Sequence, residues 1–165
     1  MKRICKVIVI TCVVFGTLYP FRKDASELAS YLGLMIFDRN FHEVVPGQLY
    51  RSAEMSRDEI SRTVRTHRIK TVVDLRLQDD YSDPSGRTEA RATAEAGGIY
   101  IHIPLSGSSA NQLPQLMRLL KTFDEAERPV LVHCSSGTHR TGVASAIWML
   151  DKGNSAFRAR EQLGL

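Results

Sequence analysis

One run of ten residues carries most of the chain's chemistry: His133-Cys134-Ser135-Ser136-Gly137-Thr138-His139-Arg140-Thr141-Gly142. A cysteine and an arginine at this spacing are a weak signal alone, because three cysteines and 16 arginines bring such a pair together by chance. The His before the Cys and the Gly three positions after it narrow the pattern. Its place between a β-branched run and an apolar helix narrows it further. A loop entering a helix in this way turns successive backbone N–H groups inward, making a nest for a tetrahedral oxyanion at the positive helix end. Gly137 admits a backbone conformation that side chains obstruct. Arg140 presents a planar fork to two phosphate oxygens. Cys134 sits at the loop base, where the amides and the helix dipole favour thiolate over thiol. Such a thiolate attacks phosphorus in line and forms a phosphocysteine that water then hydrolyses. The same donors stabilise charge on the equatorial oxygens in the transition state. Ser135, Ser136, Gly137, Thr138, His139, Arg140 and Thr141 are thus the expected phosphate-binding set, and Thr141 is also placed to bond the sulfur and help it leave.

The elements that must hold this loop are legible on either side of it. Phe41 to Tyr50 alternates loosely around Pro46-Gly47, which reads as a short strand or hairpin. Ser56 with Glu59 is a capping box, and Ile60 with Val64 gives the apolar stripe of a helix running to about His67. Lys70 to Arg76 reads as a buried strand, followed by a polar loop from Gln78 to Gly86. A helix over Arg87 to Ala96 stops at Gly97-Gly98, and Ile99 to Pro104 is a second strand. Asn111 can cap a helix that places Leu113, Leu116, Met117, Leu120 and Phe123 on one face. Pro129 to His133 is the third strand, Arg140 to Leu150 an apolar helix with Trp148 in its core face, and Ser155 to Leu163 a final helix. Strands alternating with helices of this length predict an α/β fold, a central mostly parallel sheet flanked by helices.

The N-terminus is different in kind. Residues 1–23 hold five basic side chains and no acidic one, and eighteen residues from Ile4 to Phe21 are largely apolar. That is close to the lower limit for crossing ~30 Å of hydrocarbon. The segment reads as an uncleaved membrane anchor, with a cleaved signal or a buried helix as alternatives, and no good cleavage site follows it. Residues 24–40 read as a connector, and 41–165 as the catalytic domain. Beyond residue 23 there are 17 basic and 18 acidic side chains, so the high pI belongs to the N-terminus and a nucleic-acid-binding surface is disfavoured. Cys5 and Cys12 lie in the apolar segment, which leaves Cys134 alone in the globular part and no disulfide framework there.

The motif around Cys134 resembles the signature of the cysteine-dependent protein tyrosine and dual-specificity phosphatases. The resemblance extends to Val45–Ser52, Ile69–Arg76 and Pro129–Cys134. These stretches are similar to small bacterial phosphatases with an N-terminal membrane anchor, and to atypical plant and fungal ones, some of which act on inositol pyrophosphates. The resemblance implies the cysteine phosphatase fold, an enzyme without cofactor or metal, and a phosphorylated protein or a small phosphorylated metabolite as partner. It implies a bacterial inner-membrane location, or a secreted or periplasmic one after cleavage.

An efficient phosphatase of this kind also needs an acid for the leaving oxygen. The loop after Ile99–Pro104, where many relatives carry an Asp, has no carboxylate here. Two candidates follow: His139, just before the motif arginine, and Asp80 in the Asp79/Asp80/Asp83 cluster. Each has a plainer reading, a solvent-facing or phosphate-contacting His and a solvated acidic loop. Two other functions compete: a membrane-tethered phosphate-binding module without the acid, and arsenate reduction or sulfur transfer. The last is disfavoured because relatives of that kind carry the motif after the first strand. Among the remaining residues, His133 is expected to order the Cys134 backbone by a hydrogen bond rather than bind metal. His42, His67 and His102 lack ligand spacing. Arg51, Asp74 and Arg76 are either structural or supports for the loops around the site.

Overall fold

The computed structural model of the protein describes residues 39–77, 87–106 and 112–163. The N-terminal anchor or signal, most of the connector, the Asp79/Asp80/Asp83 loop and the Asn111 cap lie outside them. Among the described residues no helix is long and apolar enough to cross a membrane. Strands β1 (His42–Val45) and β2 (Leu49–Ser52) form the expected hairpin, antiparallel and irregular between Glu43 and Val45. Helix α1 (Arg57–Thr66) follows, opened by the Ser56/Glu59 capping box and buried along Ile60 and Val64. Then come β3 (Thr71–Asp74), α2 (Arg87–Glu95), β4 (Ile99–His102), α3 (Leu113–Glu125), β5 (Val130–His133), α4 (His139–Asp151) and α5 (Ala156–Glu161). The sheet order is β1-β2-β5-β3-β4, with every pair after the hairpin parallel. The α/β architecture inferred from strand–helix alternation is the one observed.

The three inner strands β2, β5 and β3 are buried on both faces, while β4 at the edge is only partly covered, and alternate residues belong to two different cores. Leu49, Val73, Val130, Val132 and Cys134 face one layer, packed with Leu119, Phe123, Ala144 and Trp148 from α3 and α4. Tyr50, Val72 and Leu131 face the other, with Ile60 and Val64 of α1 and Ala92 of α2. Trp148 is fully buried, its ring meeting Phe123 edge-on at 5.0 Å between centroids. The observed strands are shorter than the apolar runs, but Ile103 and Leu105 still bond Asp74 and Leu75 beyond the end of β4.

Two readings of α3 are corrected. Its buried face is Leu119 and Phe123 with Leu116 partly covered, whereas Leu113 and Met117 are 67% and 57% exposed. Leucines and methionine fill two overlapping stripes of this helix, so its own periodicity cannot choose between them; packing against β4 and α4 does. The cap position is Gln112, whose side chain caps nothing. Instead it accepts from the Ser106 amide at 2.8 Å and donates to the Ser106 carbonyl at 2.7 Å, tying the two sides of the β4–α3 connection together.

Candidate active site

β5 is the central strand, and its last residue, His133, stands level with Ser52 of β2 and Asp74 of β3. The loop carrying the motif therefore leaves the sheet at its carboxyl end, where parallel sheets place their ligands. What shapes this loop is the fate of its carbonyls. Ser135 O accepts from the Glu54 amide at 3.1 Å. Ser136 O and Gly137 O accept from Asn40 Nδ2 at 3.3 and 2.9 Å. Arg51 Nη2 donates to Gly137 O at 2.7 Å and to Thr138 O at 3.3 Å. All four carbonyls are thus held to the outside. In a planar trans peptide the following N–H points the opposite way, so the amides of residues 136–139 face the loop's interior.

Gly137 makes this shape feasible. Its φ is +70°, and a Cβ there would lie 2.5 Å from Ala53 N and 2.6 Å from Ser52 C. The loop thus rests on the end of β2 with no room for a side chain. Arg51, left between two roles by the sequence, is a buried support: its Nη1 also reaches Gln162 O at 2.7 Å. That carbonyl in turn sits 2.5 Å from where a Cβ on Gly142 would be, so the segment after α5 closes onto the first turn of α4. Asn40 is itself oriented by His42 Nε2, 2.7 Å from its Oδ1.

At the floor of the loop Cys134 is 1% exposed. Burial opposes ionisation of its thiol, but the Thr141 hydroxyl, the amides of Thr141 and Gly137, and Arg140 outweigh it and hold the pKa below the ordinary value. Thr141 Oγ1 is buried and has no other hydrogen-bond partner among the described residues, which leaves it to the sulfur. Arg140 is steadied by Ser135 Oγ at 3.2 Å and, at the limit of contact, by Leu75 O at 3.5 Å. Ser135, Ser136, Gly137 and Thr138 form the loop that follows Cys134, and Arg140 and Thr141 lie in the first turn of α4. His139 is the first residue of α4 and is exposed. Asp80 lies outside the described residues.

Beneath the loop lies a charged cluster that the sequence reading only half found. Arg76, 2% exposed, holds Asp74 through Nη2 at 2.7 Å and Nε at 3.0 Å, reaches Glu54 Oε1 at 2.5 Å, and closely contacts Glu89 Oε2. Tyr100 Oη donates to Asp74 Oδ2 at 2.6 Å. His133 is corrected: neither ring nitrogen hydrogen-bonds the Cys134 backbone, and Nε2 instead forms an ion pair with Glu89 Oε1 at 2.9 Å, oblique to the N–H. Burial alone would lower the His133 pKa; Glu89 and Asp74 overcome it and raise it to about 9. Burial likewise works against the Asp74 charge, but His133 and Arg76 hold it well below the usual carboxylate range. The ligand atoms of Asp74, Glu89 and His133 lie within 4.8 Å of one another, as in a metal site. Here, however, the Arg76 guanidinium already bonds both carboxylates as their counter-ion.

Asn40, Glu54, Glu89 and Gln162 were not singled out from sequence. Glu89 reads there as an acid in the first turn of a helix, favourable to the dipole wherever it points. Only the contact with Arg76 distinguishes it.

The sequence model of the tyrosine phosphatase family matches residues 37–153. Among solved structures, the core catalytic domain of the PP-IP phosphatase SIW14 from S. cerevisiae superposes with a TM-score of 0.61 at 22% identity, over 75% of this chain and 73% of that one. The cysteine-to-serine form of TpbA from P. aeruginosa, in complex with phosphotyrosine, gives 0.58 at 22% identity over 78% and 74%.

Two outcomes follow from the geometry. Gly137→Ala is expected to cost about 2–4 kcal/mol in urea denaturation, combining positive-φ strain with a clash against backbone. Second, the ionised His133 stabilises the fold because its pKa is raised above the unfolded value. That stabilisation is complete below about pH 6.5 and is lost as pH rises to about 9. The thermal midpoint of the protein should therefore fall across this window, and His133→Gln should flatten the fall.

Proposed function

The chain belongs to the tyrosine phosphatase family, and from that membership we propose that it hydrolyses phosphomonoesters through a phosphocysteine on Cys134. The observation that carries this reading is the loop itself: four carbonyls tied outward, amides of 136–139 turned inward, and a thiol with lowered pKa at the floor. The dianionic phosphoryl group is held by those amides and by the fork of Arg140. The Cys134 thiolate attacks phosphorus in line, the S–P bond forms and the ester P–O bond breaks. The departing oxygen takes a proton from the general acid, for which His139 and Asp80 are the candidates. Water then attacks phosphorus, gives its proton back to that group, and the S–P bond breaks with the sulfur received by the Thr141 hydroxyl. The amides that bind the substrate also meet the charge spreading over the equatorial oxygens.

Phosphotyrosine and inositol pyrophosphates are the substrate classes to test first, since TpbA is seen with phosphotyrosine and SIW14 is a PP-IP phosphatase. The basic then apolar run of residues 1–23 is proposed to anchor the domain to a membrane.

Phosphate release from a phosphotyrosine peptide, a phosphoserine peptide and an inositol pyrophosphate tests the reading. Cys134→Ser is expected to lower turnover by at least ~1000-fold while phosphate-analogue binding survives. A pH–rate limb that vanishes in His139→Ala but persists in Asp80→Asn assigns the acid to His139, and the reverse assigns it to Asp80. A folded protein that binds vanadate but releases no phosphate from any of the three would instead be a phosphate-binding module.

A further inference from the structure

The phosphatase reading makes no use of Glu89, yet this carboxylate is buried beneath the catalytic loop, in the first turn of α2. Its two oxygens have different partners: Oε2 meets Arg76 and Oε1 meets His133. His133 is fixed at two points, its ring by Glu89 and its carbonyl by the Leu75 amide at 2.9 Å, and the next residue is Cys134. We propose that Glu89 is a positioning residue of the active site, a bridge from Arg76 to His133 that holds the strand end from which Cys134 projects.

The charges around His133 support a bridge rather than an incidental contact. Glu89 faces the ring from α2, Asp74 from β3 at 3.8 Å, and Arg76 from just beyond β3. Tyr100 of β4 and Glu54, after β2, complete the cluster through Asp74 and Arg76. Of these, Glu89 contributes most to keeping the imidazole protonated, while Arg76 opposes it. Without Glu89, Arg76 and His133 would face each other with Asp74 as the one fully buried anion between them. Glu54 pairs with Arg76 and not with the ring, so His133 would keep only Asp74, 3.8 Å away and already bonded by Arg76; the imidazolium would give up its proton and the ring its anchor. A strand end freed in this way no longer aims Cys134 squarely at the Thr141 hydroxyl and the loop amides, and a sulfur that accepts weaker hydrogen bonds forms its thiolate less readily.

This inference rests on the phosphatase reading for its effect on turnover, but thiol reactivity tests it independently. The full chain and its Glu89→Gln and Glu89→Asp variants would be compared by the pH dependence of iodoacetamide alkylation at Cys134, by NMR titration of the His133 ring, and by turnover of p-nitrophenyl phosphate. In Glu89→Gln the alkylation midpoint is expected to rise by about one pH unit. The His133 titration should move down toward the ordinary imidazole range. The kcat should fall about tenfold with KM nearly unchanged. Glu89→Asp keeps the charge and should restore the His133 titration while recovering kcat only in part. If Glu89→Gln does not fold, Glu89→Asp decides by its alkylation midpoint: a shift supports the bridge, and an unchanged midpoint overturns it. Glu89→Gln that folds with both midpoints unchanged also overturns it. A wild-type chain that releases no phosphate, in which Glu89→Gln still shifts both midpoints, would sink the enzymatic reading and leave the bridge standing.

Discussion

The structure depends on backbone carbonyls having somewhere else to go. A loop can present several amides to an anion only if the oxygens of the same peptides are satisfied on the far side, because a buried carbonyl without a partner costs about as much as a lost hydrogen bond. Arg51 and Asn40 supply the side-chain donors, the Glu54 amide a main-chain one, and Gly137 lets the loop lie flat on the end of β2. The shape of the loop is therefore set by the protein's own donors, the kind of pre-organisation that lowers the cost of binding.

The second layer of support is ionic, and here burial decides the magnitudes. Exposed pairs such as Arg91–Glu95 contribute little beyond local helix stability. The Arg76 cluster is different because Asp74, Arg76 and His133 have almost no access to water. Charges so placed gain little net free energy over a well-packed apolar core, but removing any one member strands the others. Their value to the protein is geometric: they fix the ends of β3 and β5 and the start of α2 at one point beneath the loop.

Much of this was legible from residue types. The Ser56/Glu59 capping box, the three core strands, the helix after Arg140 and the motif loop follow from local rules, because each is specified by residues close together in the chain. The role of Arg51 could be named but not chosen, since its partners lie 86 and 111 positions away. Glu89, Asn40 and Gln162 left no signal at all, for the same reason: a polar side chain reveals its burial only through a distant partner. The register of α3 failed differently. Its apolar residues occupy more than one face, so amphipathicity was present but did not single out Leu119 over Met117.

The alternation of β5 has one more implication. Cys134 packs into the layer formed by α3 and α4, whereas the ring of His133 reaches Glu89 on α2 in the opposite layer. The cysteine and its neighbour are thus attached to two separate hydrophobic cores and joined by a single peptide bond. Substitutions that loosen either core, even far from the loop, converge on the same rigid link. The reactivity of this one sulfur is in effect a gauge of how well both halves of the sandwich are packed.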